Sequence, residues 1–350
     1  VDLLRVVPMM MPELVDEWFE NELLRSAVST AGIHHLSFGP FAAATGYNLL
    51  HQHLYSKGVF HNGQTVNGGT VNLANALKAV AEFYHVEVQT NSKVISIDTD
   101  NGICSGVTLY DGKSVKAKTV VSGLDPQNTF INLVGAPNLN PNFHTQLRNI
   151  KYRGSAARIH FALESLPEIN GVSADQMGTV FSICPTIEYL ERASDAVKYG
   201  RLSENPYVEF NIPTVTNPDF APEGKHVLSA TVQYAPYHLR SQNWDDDLKS
   251  LLKKNVVRVL EKTIPGFSSI VESSTVVTPL DLENEFGLTE GNLNHGEMTL
   301  DQFMFMRPTI STAQYKSPIE NLYLCGPGTH NGGGLHGANG FNAAREILKG

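Results

Sequence analysis

The chain has 350 residues, 41% of them apolar and 17% charged, with a formal net charge of -9. That length can bury a large core in two domains, or in one domain with a big insertion. The acidic balance argues against a nucleic-acid partner, which needs a basic face, and gives no help in binding an anionic membrane. No run of about 18 apolar residues exists, so no bilayer-spanning segment is expected. Cys104, Cys184 and Cys325 are far apart and form no C-x-x-C. Neither a zinc site nor a disulfide framework is indicated, and a reducing compartment is expected. The first residue is Val1 and not methionine, and the opening residues do not read as a leader of the secretory type, so a segment missing upstream is expected.

Over 13–28, apolar and acidic residues alternate at helical spacing, with Leu14, Trp18, Leu23, Leu24 and Val28 as a buried stripe. Residues 32–45 read as loop and 47–55 as a second helix. His51 and His53 invite a metal reading, but two positions apart on a helix they diverge by about 200°. No third ligand motif stands nearby. Gly68 and Gly69 precede a helix over 71–84, in which Ala74, Leu77, Val80, Ala81 and Tyr84 share a face. Strands are expected at 86–89, 94–98, 103–110 and 118–122, with Asp100-Asn101-Gly102 and Asp111-Gly112 as turns.

Asp125 and Pro126 end that block and start a helix over 127–134. The Pro- and Asn-rich stretch 135–142 marks a boundary between layers. Further strands are expected at 158–163, 180–183, 207–212, 226–234 and 268–277, and helices at 186–198 and 245–262. Strands so widely spaced, with helices between them, suggest a mixed sheet carrying helices on one face. The connection 282–307 holds Gly287, Gly291, Asn292, His295, Gly296 and Glu297. It reads either as part of a site or as a solvent-exposed crossover.

The chain ends on NLYLCGPGTHNGGGLHGANGFNAAREILK. Leu322, Tyr323, Leu324 and Cys325 make one buried strand, closed by Gly326. Gly328, Gly332, Gly333, Gly334, Gly337 and Gly340 then let the backbone turn sharply and come close to something lying against it. Phe341, Ala344, Ile347 and Leu348 recur at helical spacing. The first turn of a helix presents unpaired N–H groups and the positive end of the dipole, so an anionic group fits there. The spacing is not G-x-G-x-x-G, and too little chain follows Gly340 to complete a βαβ unit. A flexible glycine-rich tail is the alternative.

This tail resembles the phytoene-desaturase-related FAD oxidoreductases, together with VNGGTVNLANALKAVAEFYHVEVQTNSKVISI, GVTLYDGKSVKAKTVVSGLDP, ARIHFALESLP and VQYAPYHL. Within them it is most similar to the pyridine nucleotide-disulphide oxidoreductase domain-containing group. The resemblance implies an α/β (α+β) fold: a discontinuous FAD-binding domain of glutathione-reductase-like type, interleaved with a mixed-sheet substrate domain. On that template 64–125 and 311–350 are FAD-binding segments, 126–310 is the substrate-binding domain, and 1–63 is a helical part of it. Gly326, Gly328, Thr329 and the turn of Gly337, Ala338, Asn339, Gly340, Phe341 and Asn342 would approach the flavin and its phosphates. Gly68 and Gly69 would lie near the isoalloxazine ring, and Val94 would touch the adenine through its backbone. The family opens on a strand, a G-x-G-x-x-G turn and a helix, with an acidic residue about 20 positions on. These 350 residues lack that N-terminal Rossmann βαβ unit. It is expected before Val1 or from a partner chain or homo-oligomer, unless the protein has lost its cofactor.

The resemblance implies FAD as cofactor, no metal, and removal of a hydride from an apolar small-molecule substrate. No side-chain acid or base is obligatory in that chemistry, so no catalytic residue is assigned, although His330, Asn331 and His336 lie in the tail. A non-catalytic interaction or scaffold protein that keeps the fold without flavin is the second reading. A histidine-ligated metal enzyme using His51 and His53 is the third. The expected location is the cytoplasm or the mitochondrial matrix.

Overall fold

The computed structural model describes residues 5–53, 66–173, 176–240 and 242–349. Positions 54 and 55 of the second expected helix, and the 63/64 domain boundary, lie outside them. One-turn helices aside, the helices are α1 (Met11–Asp16), α2 (Glu22–Ile33), α3 (Thr45–His53), α4 (Thr70–Phe83), α5 (Pro141–Asn149), α6 (Ile187–Lys198), α7 (Asp246–Thr263), α8 (Pro279–Phe286) and α9 (Ala338–Ile347). The strands are β1 (Val94–Asp100), β2 (Ile103–Leu109), β3 (Ser114–Lys116), β4 (Val120–Ser122), β5 (Ala156–Leu163), β6 (Phe181–Ile183), β7 (Tyr207–Asn211), β8 (His226–Gln233), β9 (Val271–Val277) and β10 (Leu322–Leu324). The chain divides into two compact units, Val1–Thr90 with Ser155–Pro279 and Asn91–Gly154 with Leu280–Gly350.

In the first unit the single helix expected over 13–28 is two, α1 and α2. Asn21 ends the break by capping α2, its Oδ1 accepting from Leu24 N–H at 3.1 Å. The break turns Trp18 out to 72% exposure and leaves Leu23 exposed as well, so neither joins the buried stripe. Met11, Val15 and Val28 do, packing with Ile187 of α6. The five-stranded sheet runs β6-β7-β8-β5-β9, and all four of its ladders are antiparallel. That is more uniform than a mixed sheet, because β5 runs opposite to both of its neighbours. Helix α4 forms where the spacing predicts, but its apolar face is open. Val71, Leu77, Val80 and Phe83 are all exposed. Residues 86–89 form no strand, and they pair with no ladder partner among the described residues.

His35 gives this unit an acid sensitivity. Its ring stacks on His34 with centroids 4.1 Å apart, and its Nδ1 is buried with no hydrogen-bond partner. Burial, then the neighbouring His34 and Arg158, hold its pKa well below the usual histidine value. The unfolded chain, at about 6.5, therefore binds a proton that the folded chain refuses. Stability from this group is complete above that pH and is lost as pH falls below it. The urea midpoint is expected to drop between about pH 7.5 and 5.5, and His35→Asn, chosen because His35 has φ +61°, should flatten the drop. An equal drop in the variant would mean that other groups cause it.

In the second unit, β1, β2 and β3 form an antiparallel sheet. Asn101 and Gly102, at φ 50° and 81°, make the two-residue turn that the Asn-Gly pair predicts. Strands β4 and β10 pair in parallel, Leu322 opposite Val120 and Leu324 opposite Ser122. A π-helix, Gln127–Gly135, occupies the place of the expected α-helix. Asp125 caps it, its Oδ1 accepting from Asn128 N–H at 2.9 Å. Phe130 of this helix meets Phe143 of α5 edge to face, and both join Ile97, Cys104, Leu322 and Leu324 in one core. The 282–307 connection is not all loop, since α8 and several one-turn 3₁₀ helices cover part of it.

Candidate functional site

The glycine-rich turn and α9 lie wholly in the second unit, and strand β10 launches them. Leu322, Tyr323 and Leu324 are buried, and Cys325 N–H donates to Ser122 O at 2.9 Å, so the chain leaves the sheet in a fixed direction. Thr329 folds the turn back, with its N–H at 3.0 Å and its hydroxyl at 2.8 Å both donating to Gly326 O. Asn339 then ties turn to helix. Its Nδ2 donates to Gly326 O, Thr329 Oγ1 and Gly332 O at 2.9, 3.0 and 3.2 Å. The Tyr315 hydroxyl gathers the rest, accepting from Asn331 Nδ2 at 3.3 Å and Asn342 Nδ2 at 2.9 Å while donating to His330 O at 3.2 Å.

The glycines fall into two groups. A Cβ on Gly326 would lie 2.4 Å from Gly123 O, one on Gly328 2.7 Å from Pro126 Cδ, and one on Gly333 2.3 Å from Asn294 Oδ1. These three are bare because the protein's own chain presses on them. Around Gly337 and Gly340 a Cβ would meet nothing within 4 Å. Both are exposed and flank the start of α9, whose N-cap position is Gly337 itself and so offers no side chain. Of the first-turn donors, Ala338 N–H is taken by His336 Nδ1 at 3.1 Å. His336 Nε2 is 3.3 Å from Gly333 O, so the ring carries its proton on Nε2.

The 292–296 segment packs against this turn and supplies residues whose roles the sequence does not reveal. Asn292 Oδ1 accepts from Asn294 N–H at 2.9 Å and Gly296 N–H at 3.2 Å, and its Nδ2 donates to Tyr152 O. Arg307 is the hub. It is 1% exposed and among the described residues has no carboxylate partner; Nε donates to Pro327 O at 3.1 Å, and Nη2 donates to Gly296 O at 3.1 Å and to Asn294 O. Burial lowers its pKa to about 10, which leaves it charged at neutral pH. His295, by contrast, is held below its usual pKa by burial, with Asp125 pulling upward and Arg307 downward. Four buried polar atoms here have no hydrogen-bond partner: Asn294 Nδ2, His295 Nδ1, His330 Nδ1 and Asn339 Oδ1.

Of the residues singled out in the sequence, Gly326, Gly328, Thr329 and the run from Gly337 to Asn342 come together here. Gly68 and Gly69 belong to the first unit, at φ +74° and +85° before α4, and Gly68 N–H donates to Asn217 Oδ1 at 2.7 Å. Val94 opens β1 opposite Leu109. His51 and His53 share α3, where His53 Nδ1 is 2.8 Å from Leu49 O. Among the described residues no group of three or more His, Cys, Asp or Glu could hold a metal ion, and no helix is long and apolar enough to cross a membrane.

Comparisons with known proteins agree with this architecture. Pyridine nucleotide-disulfide oxidoreductase domain-containing protein 2 of Rattus norvegicus is 32% identical over 348 residues, covering 96% of this chain and 60% of the relative. The lycopene-forming phytoene desaturase of a Paracoccus species is 27% identical over 331 residues, 93% of this chain and 62% of its own length. The chain thus spans about 60% of the length of such relatives. An oxidoreductase crystal structure from Methanosarcina mazei shares the fold with a TM-score of 0.61 at 17% identity, over 97% of this chain and 68% of that one. Residues 33–348 match the family described as flavin containing amine oxidoreductase, and the chain belongs to that family.

Proposed function

We propose that the complete protein is an FAD-dependent oxidoreductase that removes a hydride from a C–H bond of a mostly apolar substrate, and that this chain contributes the glycine-turn half of the cofactor site. The observation that carries the proposal is the contrast between packed Gly326, Gly328 and Gly333 and open Gly337 and Gly340 at the start of α9. The fit is also chemical, since partnerless buried polar atoms at Asn294, His295, His330 and Asn339 border the same turn and a flavin edge is rich in donors and acceptors. Bound flavin supplies the hydride-accepting N5. The chain's part is to hold and orient. First-turn N–H groups of α9 favour negative charge beside them, and Asn339 keeps the turn and the helix in one geometry. The apolar substrate class follows the relatives, one of which is named for phytoene.

Gly340→Ala is the direct test. Gly340 has an ordinary helical φ and an open Cβ position, so alanine should raise the stability of α9 by about 0.5–1 kcal/mol. Flavin content of the purified protein, read from its yellow absorption band, should nevertheless fall, and FAD added back should bind about tenfold more weakly, roughly 1.4 kcal/mol. Unchanged FAD affinity would remove Gly340 from the site. A parent protein that neither carries nor takes up FAD would favour the scaffold reading.

A further inference from the structure

We propose a second ligand site in the first unit, a cleft beside α7 that binds a phosphate-bearing anion through Arg201, Arg240, Lys254 and Arg258. It is independent of the flavin reading. The cleft has a volume of about 760 Å³, within the range of small-molecule sites. Its walls carry those four cations and one carboxylate, Glu204, over an apolar floor that includes Leu248 and Leu251.

The arrangement runs against the composition. The chain has 35 acidic residues against 26 Lys and Arg, yet among the described residues none of these four cations makes an ion pair. Lys254 and Arg258 stand four apart on one face of α7, where like charges destabilise a helix. The other two are fixed beside each other by backbone. Arg240 N–H donates to Gly200 O at 3.0 Å, and Gly200, at φ +63°, would place a Cβ 2.7 Å from Arg240 N. Helix and loop are tied in turn. Asn255 Nδ2 donates to Ser203 O at 3.1 Å, while Arg258 Nη2 donates to Glu204 O and lies 3.5 Å from Asn255 Oδ1. Four positive side chains lining one cleft with a single carboxylate among them repel one another, and a multiply charged anion between them lessens that cost.

The chemistry selects phosphate. Arginine forks bind its oxygens in pairs and lysine adds a point charge, while a single carboxylate would leave most of the four unmatched. The leucine floor gives room for an organic body attached to the phosphate. That body is either a soluble phosphate ester or the glycerol end of an anionic phospholipid.

The test uses inorganic pyrophosphate, at constant ionic strength, as a probe of thermal stability, and in parallel co-sedimentation with vesicles of neutral lipid with or without an anionic phospholipid. The paired variant is Arg240→Ala with Lys254→Ala, two exposed side chains without a hydrogen bond of their own. Saturable stabilisation by pyrophosphate is expected. In the variant, affinity should fall tenfold or more while unliganded stability holds or rises, since repulsion is relieved. Vesicle binding that requires the anionic lipid and is competed by pyrophosphate identifies a headgroup; stabilisation without vesicle binding identifies a soluble ester. No response to either probe, or an undiminished response in the variant, overturns the site.

Discussion

Arg307→Met is expected to cost about 4 kcal/mol of stability, near the upper end of single-residue effects. The guanidinium donates to the carbonyls of Pro327, Gly296 and Asn294, and through them holds the 292–296 segment against the glycine turn. A buried ion pair can be replaced by apolar side chains at little cost, because both partners leave together. Here the partners are backbone carbonyls, which no substitution can remove. Each one left unpaired in the interior costs about 1–3 kcal/mol. Arg307→Lys should recover only part of the loss, since one ammonium cannot span three acceptors aimed by a planar fork. Urea unfolding of the three proteins decides the matter. A methionine variant within about 1 kcal/mol of the parent would mean that water replaces the guanidinium.

Gly326→Ala is expected to cost about 3 kcal/mol or more, because the new methyl would lie 2.4 Å from Gly123 O and 3.0 Å from Gly123 C. Both neighbours are backbone, and neither can swing aside as a side chain would. Gly123 follows β4 directly, and Cys325 N–H is bonded to Ser122 O, so any shift pulls on the β4–β10 pair. Gly340→Ala adds the same methyl at 14 positions' remove and should be tolerated. The pair therefore separates glycine kept for packing from glycine kept for a ligand. Comparable losses of folded protein for both, measured by urea midpoint and by soluble yield, would erase that distinction.

Strand, turn and helix at the end of the chain were legible because each is written in adjacent residues: an apolar run, a glycine cluster, a helical repeat. What each glycine does was not legible. The atoms that press on Gly326 and Gly333 come from Gly123 and Asn294, far away along the chain, and no local pattern announces them. Arg307 was invisible for the same reason, since an arginine in a long loop-like connection reads as surface until its carbonyl partners are known. The Asn101-Gly102 hairpin was read correctly because its signal is two residues long. Residues 86–89 had strand composition without a partner to pair with, and a strand is defined by its neighbour. Trp18 failed differently. Asn21 prefers to cap, and that local choice starts a second helix, so Trp18 falls in the break between the two and is exposed.

The parallel pairing of β4 with β10 also orders events during synthesis. Val120 leaves the ribosome long before Leu322, and the whole of Ser155–Pro279, most of the first unit, is made in between. Until the last segment emerges, the β4 edge and the core around Phe130 lack Leu322 and Leu324. The second unit therefore completes late, after paying the loop-closure entropy of a very distant contact. A nascent chain halted short of residue 322 would display a β4 edge without its β10 partner, the kind of unpaired strand edge that makes an incomplete chain prone to aggregate.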